Sequence, residues 1–124
     1  MQPKDAEAHN LLGSTLLGVG RVPEAIAQFQ QAVALRPDFV NARFNLANAF
    51  ARSNRWQDAI GEYNRVLAAY PNDDVAKQKF AQALVQYGDA LLKEGKRSEA
   101  AAQYGKALSL DSKNEAARAR LQNR

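Results

Sequence analysis

No cysteine occurs in the 124-residue chain, which excludes disulfides, a thiolate nucleophile and cysteine-ligated zinc. Histidine occurs once, as His9, so a two-histidine metal site cannot be built and a Ser-His pair has a single candidate. No stretch reaches the roughly 18 apolar residues of a membrane-spanning helix. The N-terminal Met-Gln-Pro-Lys-Asp lacks the apolar core of a signal peptide. A signal already removed would leave the same sequence, so the cytoplasm is the favoured expectation and the periplasm stays open. Gly18-Val19-Gly20 has neither a preceding strand nor a following Gly-Lys, and reads as a turn instead of a phosphate cradle. Asp73-Asp74 is a carboxylate pair without the further oxygen ligands that calcium or magnesium needs, and suits a helix start. No catalytic constellation, metal site or cofactor site can be assembled, and the expectation is a protein that is not an enzyme.

Charge is only mildly one-sided. The chain carries 17 basic and 13 acidic side chains, a formal +4, and the excess lies after residue 73. That asymmetry raises nucleic acid as a partner through Lys113, Arg118, Arg120 and Arg124. Residues two apart on a helix point to different faces, and Asp89, Glu94 and Glu99 interrupt the lysines. A solvated surface is the better reading, and nucleic-acid binding is not expected.

What the chain does have is a period. Ala25, Phe29, Ala32 and Pro37 recur 34 residues on as Ala59, Tyr63, Val66 and Pro71, and Pro3 stands 34 before Pro37. A third copy, Ala100, Tyr104 and Ala107, follows after 41 residues. Within each unit, apolar residues at helical spacing are broken at Gly20, Asn54 and Gly95, and a second amphipathic stripe follows. Glycine and asparagine are the residues that tolerate a left-handed turn. A fixed period of this size means stacked copies of one helix-turn-helix unit.

The order of large and small residues resembles the tetratricopeptide-repeat (TPR) family. The pair Leu12-Gly13 becomes Leu46-Ala47 and Tyr87-Gly88, and Leu16 becomes Phe50 and Leu91. The resemblance implies an all-α, right-handed superhelical solenoid of antiparallel helix pairs, a single domain over 1–124 with repeats at 6–39, 40–73 and 74–114. Three departures stand out. The slot often filled by Trp holds His9, Arg43 and Leu84, and His9 is expected to pack between helices. Ser112 replaces the last proline and opens Ser112-x-x-Glu115, which predicts a capping box for a terminal helix over 113–123. Pro3 suggests that the chain starts just after the end of a preceding helix.

The third departure is the seven-residue excess before Ala81. Seven residues are close to two helical turns, so an insertion of that length keeps the apolar stripe in phase. Phe80, Leu84, Tyr87 and Leu91 hold that stripe. The sequence therefore predicts one helix over 74–94, capped by Asn72 or Asp73, with one end projecting about 10 Å beyond its neighbours.

In the family the first helices of successive units line a concave groove. Carried over position by position, that face comprises Glu7, Asn10, Ser14, Leu17 and Gly18, then Asn41, Phe44, Asn48, Ala51 and Arg52, then Gln82, Val85, Asp89, Leu92 and Lys93. The Lys/Asn clamp of the chaperone-tail binders is absent, since its first-unit positions hold Asn10 and Ser14 and its third-unit positions Gln82 and Gln86. Asn45-Leu46-Ala47-Asn48 is similar to the asparagine-bearing repeats of O-GlcNAc transferases, which implies a hold on peptide backbone by Asn45 and Asn48. The expected partner is a protein or peptide segment, bound through Asn10, Ser14, Asn41, Phe44, Asn45, Asn48, Arg52, Gln82, Val85 and Asp89. Two readings of Phe44 stand, as a groove contact or as a ring packed sideways on the neighbouring helix. Self-association into a homo-oligomer is the alternative function.

Overall fold

The computed structural model describes residues 3–122, with side chains from Asp5 onward. Seven helices and no strand are found among them: α1 (Pro3–Gly18), α2 (Val22–Leu35), α3 (Val40–Arg52), α4 (Trp56–Ala69), α5 (Asp74–Lys93), α6 (Arg97–Leu110) and α7 (Glu115–Gln122). By internal packing the chain divides into two compact units, Met1–Pro71 and Asn72–Arg124. In the first unit α1 packs on α2, α3 on α4, and α3 also on α2. In the second, α6 lies between α5 and α7.

Each hairpin closes in the same way. Gly20, Asn54 and Gly95 have φ of 85°, 63° and 80°. The next amide reaches back five residues to a carbonyl of the last turn, Arg21 to Leu16, Arg55 to Phe50 and Lys96 to Leu91, each at 2.9 Å. The turn residue itself donates to Leu17, Ala51 and Leu92 respectively. This paired bonding satisfies carbonyls that the helix end would otherwise orphan, and it requires a left-handed residue at the turn.

The periodic residues make the core. Ala25, Phe29 and Ala32 of α2, Ala59, Tyr63 and Val66 of α4, and Ala100, Tyr104 and Ala107 of α6 are all buried. Opposite the aromatic in the first and third repeats sits a glycine, Gly13 or Gly88. A Cβ added at Gly13 would meet Phe29 Cε1 at 2.6 Å, and one at Gly88 would meet Tyr104 Cε1 at 2.6 Å. Small residues are needed there because an aromatic ring lies directly on the helix backbone.

The slot of His9, Arg43 and Leu84 is filled by three different chemistries. His9 Nδ1 pairs with Gln28 Oε1 at 2.7 Å, Arg43 Nη1 donates to Glu62 Oε1 at 2.9 Å, and Leu84 is fully buried. His9 thus has a partner on the adjacent helix, as its packing role requires. Arg43 and Glu62 keep only 17% and 14% of their side-chain surface exposed, so the pair is shielded from screening by water.

The 41-residue step is continuous helix. α5 runs 20 residues against 13 for α3. Asp73 is its cap, accepting from the Ala76 amide at 3.1 Å. The added length is not all free surface, since Ala76 and Phe80 near its start are buried.

Pro3 is the first residue of α1, a place that suits proline because its missing N–H would be unpaired there anyway. One expectation fails at the other end. The capping box at Ser112 does not form. The Asp111 carboxylate accepts from the Lys113 amide at 3.2 Å, and Asn114 N–H reaches the Asp111 carbonyl at 3.0 Å, which folds Ser112 into a turn. Asn114 then caps α7 by accepting from Ala117 N–H at 2.9 Å, so the helix begins at Glu115. Position 123 of the expected helix lies outside the described residues.

Candidate functional site

The first-unit residues converge into a network of amides and rings across α1, α3 and α4. Asn45 Nδ2 on α3 donates to Asn10 Oδ1 on α1 at 3.0 Å. Two turns further along α3, Arg52 Nη1 donates to the Leu17 carbonyl in the last turn of α1 at 3.0 Å. The cation adds a second donor to a carbonyl that already accepts from the Gly20 amide, and opposes the negative end of the helix dipole. Between them, the Tyr63 hydroxyl on α4 donates to Asn48 Oδ1. Tyr63 is buried, and burial pushes its phenol well above the ordinary value, which keeps the donor protonated.

Phe44 packs sideways on the neighbouring helix α4. Its ring meets Tyr63 edge-on, with centroids 6.3 Å apart and planes at 66°, yet the residue stays half-buried. Ser14 and Asn41 are exposed at the edges of the same set. Among the described residues each engaged amide keeps capacity in reserve: Asn10 and Asn48 retain their second polar atom as a donor, and Asn45 retains its carbonyl oxygen as an acceptor.

The second-unit residues fare differently. Gln82 is exposed, as expected of a surface contact. Val85 is only 6% exposed, which corrects its place as an open groove residue, because the stripe that buries Ala81 and Leu84 is wide enough to include it. Asp89 is half-buried and occupied. Arg120 grips it with Nε to Oδ1 at 2.6 Å and Nη2 to Oδ2 at 2.9 Å, while the Tyr104 hydroxyl donates to Oδ1 at 2.6 Å. The residues paired here correspond to Asn48 and Tyr63 of the second repeat, 15 positions apart in each case. The first repeat has Phe29 in place of the tyrosine and leaves Ser14 exposed.

This tyrosine bond was missed in the sequence, although the alternation of Phe29, Tyr63 and Tyr104 with Ser14, Asn48 and Asp89 was there to be read. Arg120 is likewise drawn out of the basic surface considered for nucleic acid, and Arg118 Nη2 donates to the Ser112 carbonyl at 2.7 Å. Arg124 lies outside the described residues.

The Asp89 cluster sets a pH dependence. Burial works to raise the Asp89 carboxyl, but hydrogen bonds from Arg120 and Tyr104, with the charges of Arg120 and Lys93, hold it below the ordinary value. Burial and the bond to Asp89 push the Tyr104 phenol up to about 12. A carboxyl lowered on folding contributes stability above its unfolded pKa of about 3.9, lost as pH falls through the folded value. A phenol raised on folding contributes below its unfolded pKa of about 10, lost as pH rises through the folded value. We expect amide protection in α7 to hold at neutral pH and to fall below about pH 4. Asp89→Asn should lower that protection at pH 7, by only about 1 kcal/mol because the pair is a third exposed. It should also flatten the acid limb, and an unchanged acid limb in hydrogen-exchange NMR would remove Asp89 from this role.

No group of three or more His, Cys, Asp or Glu side chains could hold a metal ion among the described residues, and no described helix is long and apolar enough to cross a membrane.

Comparison with known proteins bears on the repeat and its fold. Tetratricopeptide-repeat family models match residues 1–38, 10–74 and 81–114, the last beginning after the seven added residues of α5. The chain is 34% identical over 92 residues to mouse DnaJ homolog subfamily C member 3, matching 74% of this chain and 17% of that protein. It therefore spans a small part of that relative's length. Among solved structures, MamA superposes with a TM-score of 0.64 at 26% identity, covering 90% of this chain and 61% of that one. The first TPR of Spaghetti (RPAP3), solved bound to the HSP90 peptide SRMEEVD, superposes with a TM-score of 0.61 at 21% identity, covering 99% and 92%. With the models spanning most of its length and the helical hairpins all in place, the chain belongs to the tetratricopeptide-repeat family.

Proposed function

We propose that the first unit is a protein-interaction surface that holds an extended peptide segment across α1 and α3, without catalysis. The observation that carries this is the Asn10, Asn45 and Asn48 set, already oriented by one another and by Tyr63, with unused donors and acceptors beside the half-exposed ring of Phe44. Amide side chains match the alternating donors and acceptors of an extended backbone, and an aromatic beside them takes one side chain. Because the amides are held in place before binding, less ordering entropy opposes it. The HSP90 peptide seated on the Spaghetti TPR supports the reading that this fold accommodates a peptide.

Peptides selected by display against the whole protein provide the test. Phe44→Glu should weaken a selected peptide about tenfold or more, the size expected of an aromatic anchor. Asn41→Ala, at an exposed site that leaves the core intact, should weaken it several-fold. Binding unchanged in both variants would overturn the groove.

Self-association is the second reading, favoured by the apolar surface of α1 and the turn that follows it. Leu11 is 70% exposed, Val19 67% and Leu12 46%. A strict monomer by light scattering at high concentration would sink it. We place both functions in the cytoplasm.

A further inference from the structure

The second unit contains a cavity of about 400 Å³ lined by Leu92 of α5, Arg97, Ser98, Ala101 and Tyr104 of α6, and Arg120 and Leu121 of α7. Its volume is at the lower end of the range for small-molecule sites. The lining contains two guanidinium groups and no carboxylate. Asp89, just behind it, already accepts three hydrogen bonds, two from Arg120 and one from Tyr104, and its charge is offset by the Arg120 guanidinium.

Arg97 forms no ion pair among the described residues. Arg120 commits Nε and Nη2 to Asp89 and Nη1 to the Ala116 carbonyl at 3.3 Å, and keeps two further N–H groups. Ser98 adds a hydroxyl. The polar side of the cavity is therefore rich in donors and poor in acceptors, which is the complement of an anion. The opposite wall is apolar: Leu92 is 43% exposed, and Ala101 and Leu121 are half-buried.

These features are particular to this unit. At the corresponding positions of the first repeat the chain has Val22, Pro23 and Ile26 in place of Arg97, Ser98 and Ala101, so nothing there could receive a charge. The cavity also exists only while α7 is docked, since Arg120 and Leu121 supply one wall.

We propose that this cavity binds a carboxylate carried on a short apolar chain, with Arg97 receiving the anion and Leu92, Ala101 and Leu121 enclosing the chain. A free aliphatic or aromatic acid and the C-terminal residue of a polypeptide both present this chemistry. Inorganic phosphate lacks the apolar part and leaves the leucine wall unused.

NMR titration of the whole chain distinguishes the cases. Octanoate should shift the methyl signals of Leu92, Ala101 and Leu121 together. Octanol, equal in length but uncharged, should bind about tenfold more weakly, the loss expected when a charged hydrogen bond is missing. Arg97→Gln should cost octanoate about the same factor and leave octanol unchanged. A short peptide ending in leucine, tested with free and with amidated carboxyl, identifies the source. Binding of the free-ended peptide at the same methyls assigns the site to a polypeptide end, and binding of octanoate alone assigns it to a free acid. Octanol binding as well as octanoate, phosphate competing as well as octanoate, shifts centred outside these residues, or no loss in Arg97→Gln would each overturn the proposal.

Discussion

Gly88→Val is expected to abolish the packing of α5 on α6, at a cost of about 3 kcal/mol or more. A Cβ at this position falls 2.6 Å from Tyr104 Cε1, 2.9 Å from Cζ and 3.0 Å from Cδ1, inside any real contact distance. The ring cannot step aside cheaply, because it is 3% exposed and its hydroxyl is tied to Asp89, which is itself held by Arg120. Branching at Cβ adds a further clash. Gly88→Ala should cost less, about 1–2 kcal/mol, because alanine's better helix propensity returns up to about 1 kcal/mol. Gly61→Ala is the control: no atom lies within 4 Å of its added Cβ, so propensity alone should stabilise the chain by up to about 1 kcal/mol. Urea unfolding of the three variants checks the order, and a Gly88→Ala protein as stable as the parent would show that the ring can move.

Tyr63→Ala should be comparably damaging, at about 3–5 kcal/mol, the range for deleting a fully buried aromatic. Tyr63 is 2% exposed, stacks edge-on with Phe44 and donates to Asn48, so its loss removes core and binding surface together. Tyr63→Phe separates the two. It keeps the ring and removes the hydroxyl, so it should cost only about 1 kcal/mol. Thermal unfolding measures the difference, and equal losses in the two variants would mean that the hydroxyl, not the ring, holds α4 to α3.

Most of the fold was legible because it rests on residue spacing. The burial of Phe29, Tyr63 and Tyr104 follows from helical periodicity, and the left-handed turns at Gly20, Asn54 and Gly95 follow from the few residues that adopt that conformation. The length of α5 could be read because seven residues restore the phase of a helix. The start of α7 was misread for a local reason: Ser112, Asn114 and Asp111 all compete for nearby amides, and which one wins depends on the turn that the chain makes there.

For the candidate site, the sequence showed which first-unit residues lie near one another and not what holds them. Asn10, Phe44, Asn45, Asn48 and Arg52 do share one region, as the repeat pattern implies, but the pattern could not show that each already has a partner. Those partners lie 15, 19 or 35 residues away, on other helices.

The sequence by itself therefore determined the repeat, the helices and the aromatic core, because those depend on the spacing of residues along one chain. Only the tertiary structure decided that Val85 is buried, that Asp89 is held by Tyr104 and Arg120, and that Arg97 lines a cavity without an ion-pair partner among the described residues. Those outcomes depend on which side chains from separate helices come within hydrogen-bonding reach, and a one-dimensional period carries no record of that distance.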